Sequence, residues 1–184
     1  MSSIFTITLC KLIMKKNNRI ISPISSFSYH LENYNGLIKD FRKNNDVSRV
    51  GSMLKDCYTS ELTNKIYQYD YDALVLTDIS QNILWVNDGF KNMTGHTKKF
   101  AIGKKPTFLQ GVKTSTIVKK QLRESLAFNH TYCGSIINYR RNGELYLCQI
   151  TILPIYNLDE KLKYYMAIEK DETKMNRSDS DGVS

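Results

Sequence analysis

The chain is poor in the residues from which metal centres and hydrolytic sites are usually built. It holds 3 His and 4 Cys. His30, His96 and His130 have no carboxylate or nucleophile at a recognisable motif spacing, so no catalytic residue is assigned and no enzyme is expected. Cys10, Cys57, Cys133 and Cys148 lie far apart, with no CxxC pair and no His beside them, which excludes a sequence-evident metal site. They read as reduced thiols of a cytoplasmic protein. A Gly-rich phosphate loop is absent too. The apolar run nearest a terminus, IFTITLCKLIM, is too short to cross a bilayer and lacks a charged leader or a small-residue cleavage site, so no membrane or secretion signal is expected. Met14, followed by Lys15 and Lys16, offers an alternative start, and residues 1–23 are expected to carry no fold.

What is present suits one ordinary domain with an appendage, since a core built from 184 residues can stand without disulfide staples. The formal charge of +8 arises from 26 Lys and Arg against 18 Asp and Glu. A nucleic-acid partner would meet Lys91, Lys98, Lys99, Lys104, Lys105, Lys113, Lys119 and Lys120, but these are scattered and no Arg-rich stripe or recognised motif organises them. A solvated face is the expectation, not a nucleic-acid interface.

From Ser22 to Asn44, Phe27, Leu31, Tyr34, Ile38 and Phe41 recur at a 4-3-4-3 spacing, which places them on one stripe of a helix. Asn44, Asn45 and Asp46 interrupt the pattern and offer a cap, after which Val50, Met53, Leu54 and Cys57 resume it toward Leu62 and Ile66. The spacing predicts a helical hairpin over 24–67 within an extension ending at 71. Its apolar stripe either packs on the domain that follows or forms a dimer interface.

At Asp72 the texture changes. ALVLTDI and ILWVN are short, β-branched and apolar, separated by Ser80, Gln81 and Asn82, and read as a hairpin. Helical fragments follow over 88–100 and an amphipathic helix over 114–127. Three more strand candidates then appear, CGSIINYRR, LYLCQITILPIY and KYYMAIEK, and Asn142-Gly143 marks the first turn between them. The expected class is α+β, a five-stranded antiparallel sheet with helices on one face. Residues 172–184 hold almost nothing that could be buried and are expected to be disordered.

The stretch DALVLTDISQNILWVNDGFKNMTGHTKKFAIGKKPTFLQG resembles the first half of a PAS domain, particularly one of the LOV (light, oxygen, voltage) type, and IINYRRNGELYLCQITILPIY and YYMAIEKDE continue the resemblance over 72–171. The N-x-G-F-x-x-M-T-G block at Asn87 to Gly95 carries it. Physical reasoning gives these residues structural roles, with Asn87 capping the helix it precedes, Gly95 ending it in the left-handed region, and Trp85 alternating with Val86 between surface and core.

A LOV domain is similar over the next turn but reads G-x-N-C-R-F-L-Q-G, the Cys forming a reversible bond to photoexcited flavin. The resemblance places Lys105, Pro106 and Thr107 at the Asn, Cys and Arg positions, and proline has no thiol to form an adduct. It assigns flavin-contacting positions to Gln110, Arg123, Asn138, Cys148 and Glu169. Gln110, Arg123 and Asn138 match the LOV residue. Cys148 replaces an Asn and cannot supply an amide's paired hydrogen bonds, and Glu169 replaces a Gln with a carboxyl that is costly to bury unless protonated or paired. At roughly 0.5–1.5 kcal/mol per lost hydrogen bond, the balance argues against FMN. The expected function is a non-enzymatic sensory and interaction module of intracellular signal transduction, binding a small ligand or a signalling partner and pairing with itself through the N-terminal helices or the sheet. The alternative is a blue-light receptor using flavin without a cysteinyl adduct.

Overall fold

A computed structural model describes residues 23–174, with side chains over 30–173; the expectations for residues 1–22 and 175–184 lie outside it. The chain divides into two units, Met1–Arg42 and Lys43–Ser184. In the first unit Leu31, Tyr34 and Phe41 of the apolar stripe are exposed and Ile38 is half-buried, while the Phe27 side chain is outside the described residues.

The N-terminal extension forms two helices, α1 (Pro23–Leu54) and α2 (Ser60–Gln68), but they do not divide where the sequence suggests. Asn44, Asn45 and Asp46 lie inside α1. A polar trio ends a helix when its side chains turn back on the local backbone, and here two of them are engaged elsewhere. Asn44 Oδ1 accepts from the Tyr67 hydroxyl, and Asp46 Oδ2 accepts from Asn87 Nδ2 at 2.8 Å and from the Tyr71 hydroxyl at 3.3 Å. The break falls at the 3-10 turn Lys55–Cys57, where Lys55 takes φ of 44°, and Thr59 then caps α2 by accepting from Leu62 N.

Five strands follow: β1 (Ala73–Asp78), β2 (Ile83–Val86), β3 (Tyr132–Tyr139), β4 (Leu145–Tyr156) and β5 (Leu162–Asp171). They pair antiparallel in the order β2-β1-β5-β4-β3, so β5 is central. Between β2 and β3 run α3 (Asp88–Thr94), α4 (Lys98–Ala101), the 3-10 turn Pro106–Leu109 and α5 (Thr116–Ala127). The expected α+β sheet with helices on one face is therefore present. Gly143, at φ of 84°, turns β3 into β4 as Asn142-Gly143 suggests. Glu172–Lys174, expected in the disordered tail, form a 3-10 turn held to β4 by Leu147 N donating to Thr173 Oγ1.

The two faces of the sheet carry separate cores. On one, Val75, Val86, Phe90, Met93, Leu109, Leu126, Ile136 and Ile150 pack with α3 to α5. On the other, Leu74, Leu76, Leu153, Met166 and Ile168 pack against Val50 and Leu54 of α1 and Leu62 and Ile66 of α2. The part of the extension from Lys43 onward thus adds a layer behind the sheet. This is why β1 is buried along nearly its whole length, while β3 and the first half of β4 alternate between buried and exposed.

Asn87 joins the layers. Its Oδ1 accepts from Phe90 N and Leu74 N, both at 3.1 Å, capping α3 and fixing β1, while its Nδ2 donates to Asp46 of α1. Gly95 ends α3 at φ of 74°. Lys43 donates to the Tyr67 and Tyr69 carbonyls, satisfying the C-terminal end of α2. Replacing Asn87 with Ala removes a helix cap and two further buried hydrogen bonds. Urea denaturation is expected to show a loss of about 2–4 kcal/mol; a loss below about 1 kcal/mol would mean that Asn87 does not couple the layers.

Candidate functional site

Between the inner face of the sheet, α5 and the turn Pro106–Leu109 lies a cavity that offers about 80 Å³ to the centres of water molecules, where roughly 10–15 Å³ admits one. Its walls are mostly apolar, from Val75, Leu122, Leu126, Ile136, Ile150 and Ile152, with polar groups from Thr77, Gln81, Thr107, Gln110, Asn138 and Glu169. Two anchors hold α5 over it. Tyr165 on β5 donates its hydroxyl to the Leu126 carbonyl at 2.9 Å and to Asn129 Oδ1 at 3.1 Å. The end of the FLQG turn rests on the Tyr139 ring, which a Cβ at Gly111 would meet at 2.4 Å, so glycine alone permits the approach.

The sequence-assigned residues divide. Gln110, Asn138, Glu169 and Pro106 all line the cavity. Arg123 does not: it is exposed on α5, and its Nε donates to the Lys119 carbonyl one turn back at 3.1 Å. Cys148, expected to face the cavity, is not among its lining residues. It is fully buried in the inner core with its thiol donating to the Gln149 carbonyl at 3.7 Å. Burial pushes that thiol well above its usual range, helped by the carboxylates of Glu169, Asp171, Asp72 and Glu172, so it stays protonated and a poor nucleophile. Thr77, Gln81 and Thr107 line the cavity as well; the sequence marks Thr77 only as a strand residue, Gln81 as part of the hairpin turn and Thr107 as the position where a LOV domain has Arg.

Three buried polar atoms on neighbouring strands lack a well-formed hydrogen bond among the described residues: Asn138 Oδ1 on β3, the Tyr146 hydroxyl on β4, which stands opposite Asn138 and feels its amide, and Glu169 Oε2 on β5. Asn138 and Glu169 line the cavity; buried polar atoms are nearly always satisfied, so an unsatisfied pair at a cavity wall marks a place where something else supplies the partner. Glu169 is 3% exposed and faces Ile150 on β4 and Ala73 on β1 across the sheet. No ion pair among the described residues involves it. Burial raises its pKa from 4.5 to about 7. Asp171, two residues on along the same face, is by contrast paired with Arg140 at 2.7 Å.

A PAS domain family model matches residues 72–174, more than half of the chain, and covers the whole sheet and the cavity. The chain belongs to the PAS domain family. Among curated relatives, a blue-light photoreceptor of Listeria innocua is 38% identical over 55% of this chain and 41% of its own length, and Phototropin-1B of Oryza sativa is 31% identical over 64% of this chain and 13% of its own. A nitrogen fixation regulatory protein of Klebsiella oxytoca is 31% identical over 54% of this chain and 20% of its own. The chain therefore spans less than half the length of each. Among solved structures, the LOV domain of a blue-light-activated histidine kinase from Erythrobacter litoralis superposes with a TM-score of 0.53 at 30% identity, covering 56% of this chain and 97% of that one. The PAS region here is a sensory domain of the PAS and LOV kind.

The Glu169 carboxyl sets a pH dependence. Below its ordinary pKa of 4.5 it is protonated in folded and unfolded chains alike, and above about 7 it is ionised in both. Between these values only the folded chain holds the proton, so stability falls as pH rises, by roughly 3 kcal/mol in all. Glu169→Gln removes this term. Denaturation midpoints at pH 4.5 and pH 8 are expected to show the variant gaining on wild type as pH rises; a constant difference would mean that Glu169 is hydrated or paired.

Proposed function

We propose that this chain is a non-enzymatic PAS sensory module that takes a small ligand into the cavity behind α5 and passes the resulting change through the strands and flanking helices to a partner protein. The observation that carries the reading is the unsatisfied pair Asn138 and Glu169 at the wall of an otherwise apolar cavity. A nucleic-acid partner has less support, because Lys98 and Lys120 are engaged by Asp88 and Glu124. The unpaired thiols of Cys57, Cys133 and Cys148 favour a cytoplasmic setting.

The names of several relatives speak of blue light, which requires a chromophore. The residues here do not fit a LOV-type flavin. Pro106 stands at the cavity wall with no thiol, Arg123 is turned to its own helix away from any phosphate, and Glu169 brings a carboxyl where an amide is needed. The absorption spectrum of freshly purified protein, in the dark and after blue illumination, with mass spectrometry of whatever heat releases, separates the readings. A spectrum without flavin bands, unchanged by refolding with excess flavin, is expected. Structured flavin absorption would overturn this assignment.

Self-association belongs to the same proposal. The outer face of β1 and β5 is already covered by Val50, Leu54, Leu62 and Ile66, which favours α1 over the sheet as the pairing surface. Leu31, Tyr34, Ile38 and Phe41 repeat at 3-4-3 spacing, the seam that a second identical helix fits. Light scattering is expected to give a dimer that the double substitution Leu31→Glu, Phe41→Glu converts to monomer. A monomeric wild-type chain at working concentrations would contradict it.

A further inference from the structure

We propose that the cavity takes a small organic cation, an amidinium or guanidinium head on an apolar body, whose N–H groups donate to the Glu169 carboxylate and to Asn138 Oδ1. This rests on the reading of the cavity as the ligand site and goes further by naming the ligand's chemistry.

The argument starts from what the two wall atoms lack. Asn138 Oδ1 accepts, and so does Glu169 Oε2 once the carboxyl is ionised; both side chains are more than nine-tenths buried, and both line the cavity. A ligand that satisfies them must present donors. A planar amidinium presents several in a fixed fork, the geometry that matches a carboxylate with two parallel hydrogen bonds. Charge points the same way. The elements packed around Glu169 offer it no cation. From β4 come Tyr146 and Cys148, from β3 Asn138, from α5 Leu122 and Leu126, from the 3-10 turn Pro106, Thr107 and Leu109, and from β1 Val75 and Thr77. The nearby guanidinium of Arg140 is committed to Asp171 at 2.7 Å, to Glu144 and to the Met93 carbonyl, and stacks on the Tyr146 ring. Around Cys148 the field is negative, with Glu169, Asp171, Asp72 and Glu172 all raising its thiol. A cation entering the cavity would supply the missing partner, while the aliphatic walls take an apolar body.

The binding step is coupled to a proton. Free protein at pH 6 holds Glu169 mostly protonated, because burial raises its pKa to about 7. The cation binds the ionised form, so the proton leaves to solvent as the ligand enters. Ionisation goes from about a tenth at pH 6 to about nine-tenths at pH 8, a rise of roughly tenfold in apparent affinity for a ligand that is charged at both pH values.

The test is calorimetric titration of the full chain with benzamidine and with benzamide, which has nearly the same shape and no charge, at pH 6 and pH 8. Benzamidine is expected to bind about tenfold more tightly at pH 8 than at pH 6, and benzamide weakly and without pH dependence. Glu169→Gln, checked for folding by circular dichroism, is expected to lose the pH slope and at least tenfold in benzamidine affinity at pH 8. If that variant does not fold, the benzamidine and benzamide comparison on the wild-type chain still decides. Benzamide binding as tightly as benzamidine, or benzamidine binding with no pH slope, overturns the cation assignment while the cavity stands as a ligand site. Binding of neither compound, or benzamidine binding that survives filling the cavity by Ile150→Trp, overturns the cavity reading and the cation assignment together.

Discussion

A carboxyl group held away from water on the central strand of a sheet is costly, and Glu169 is such a group: it is 3% exposed, its Oε2 has no partner, and its pKa is raised to about 7. Folded chains avoid that arrangement unless the group has work to do. Apolar groups surround it. Ile150 faces it across β4 and Ala73 across β1, while Leu122 and Leu126 of α5 close the cavity. The Tyr165 hydroxyl fastens the end of α5 to β5 only four residues from Glu169 itself. Glu169 and the fastening of α5 thus lie on one strand.

The same strand is covered from behind. Met166 and Ile168 alternate with Tyr165, Ala167 and Glu169, so one strand sends its side chains into two cores. The rear core includes Val50, Leu54, Leu62 and Ile66, and its polar fastening is Asp46, whose carboxylate takes the Asn87 amide. Burial raises the Asp46 pKa against the pull of the Asn87 and Tyr71 hydrogen bonds. The N-terminal extension is thus part of the domain from about Lys43 onward. Because β5 packs into both cores, a shift in it would reach both faces, which gives the proposed ligand a route to the flanking helices.

Most of the sheet was legible in sequence. The alternation in IINY and LYLCQ marks strands with one wet face, and Asn142-Gly143 fixes the turn between them. The unbroken runs ALVL and YYMAI also carried a message: a strand apolar at consecutive positions is buried on both faces, and here α1 and α2 supply the second cover. The misplaced helix break has a different cause. Asn44 and Asp46 read locally as a stop, but Tyr67, Tyr71 and Asn87 take up their side chains from 23 to 41 residues away. All five site positions, Gln110, Arg123, Asn138, Cys148 and Glu169, came from the resemblance, and three of them, Gln110, Asn138 and Glu169, line the cavity. Arg123 prefers the carbonyl of Lys119 one helical turn back, and Cys148 sits deep in the apolar core.

The central claim is that Glu169 titrates at the wall of a mostly apolar cavity with no protein cation beside it among the described residues. Carbon-detected NMR of the Glu169 carboxyl across pH 3 to 9, in protein carrying labelled glutamate and assigned by comparison with Glu169→Gln, reports this directly. The account predicts a titration midpoint near 7 in the free protein. A midpoint at or below the ordinary 4.5 would show that the carboxyl is hydrated or paired, and would contradict the account at its base.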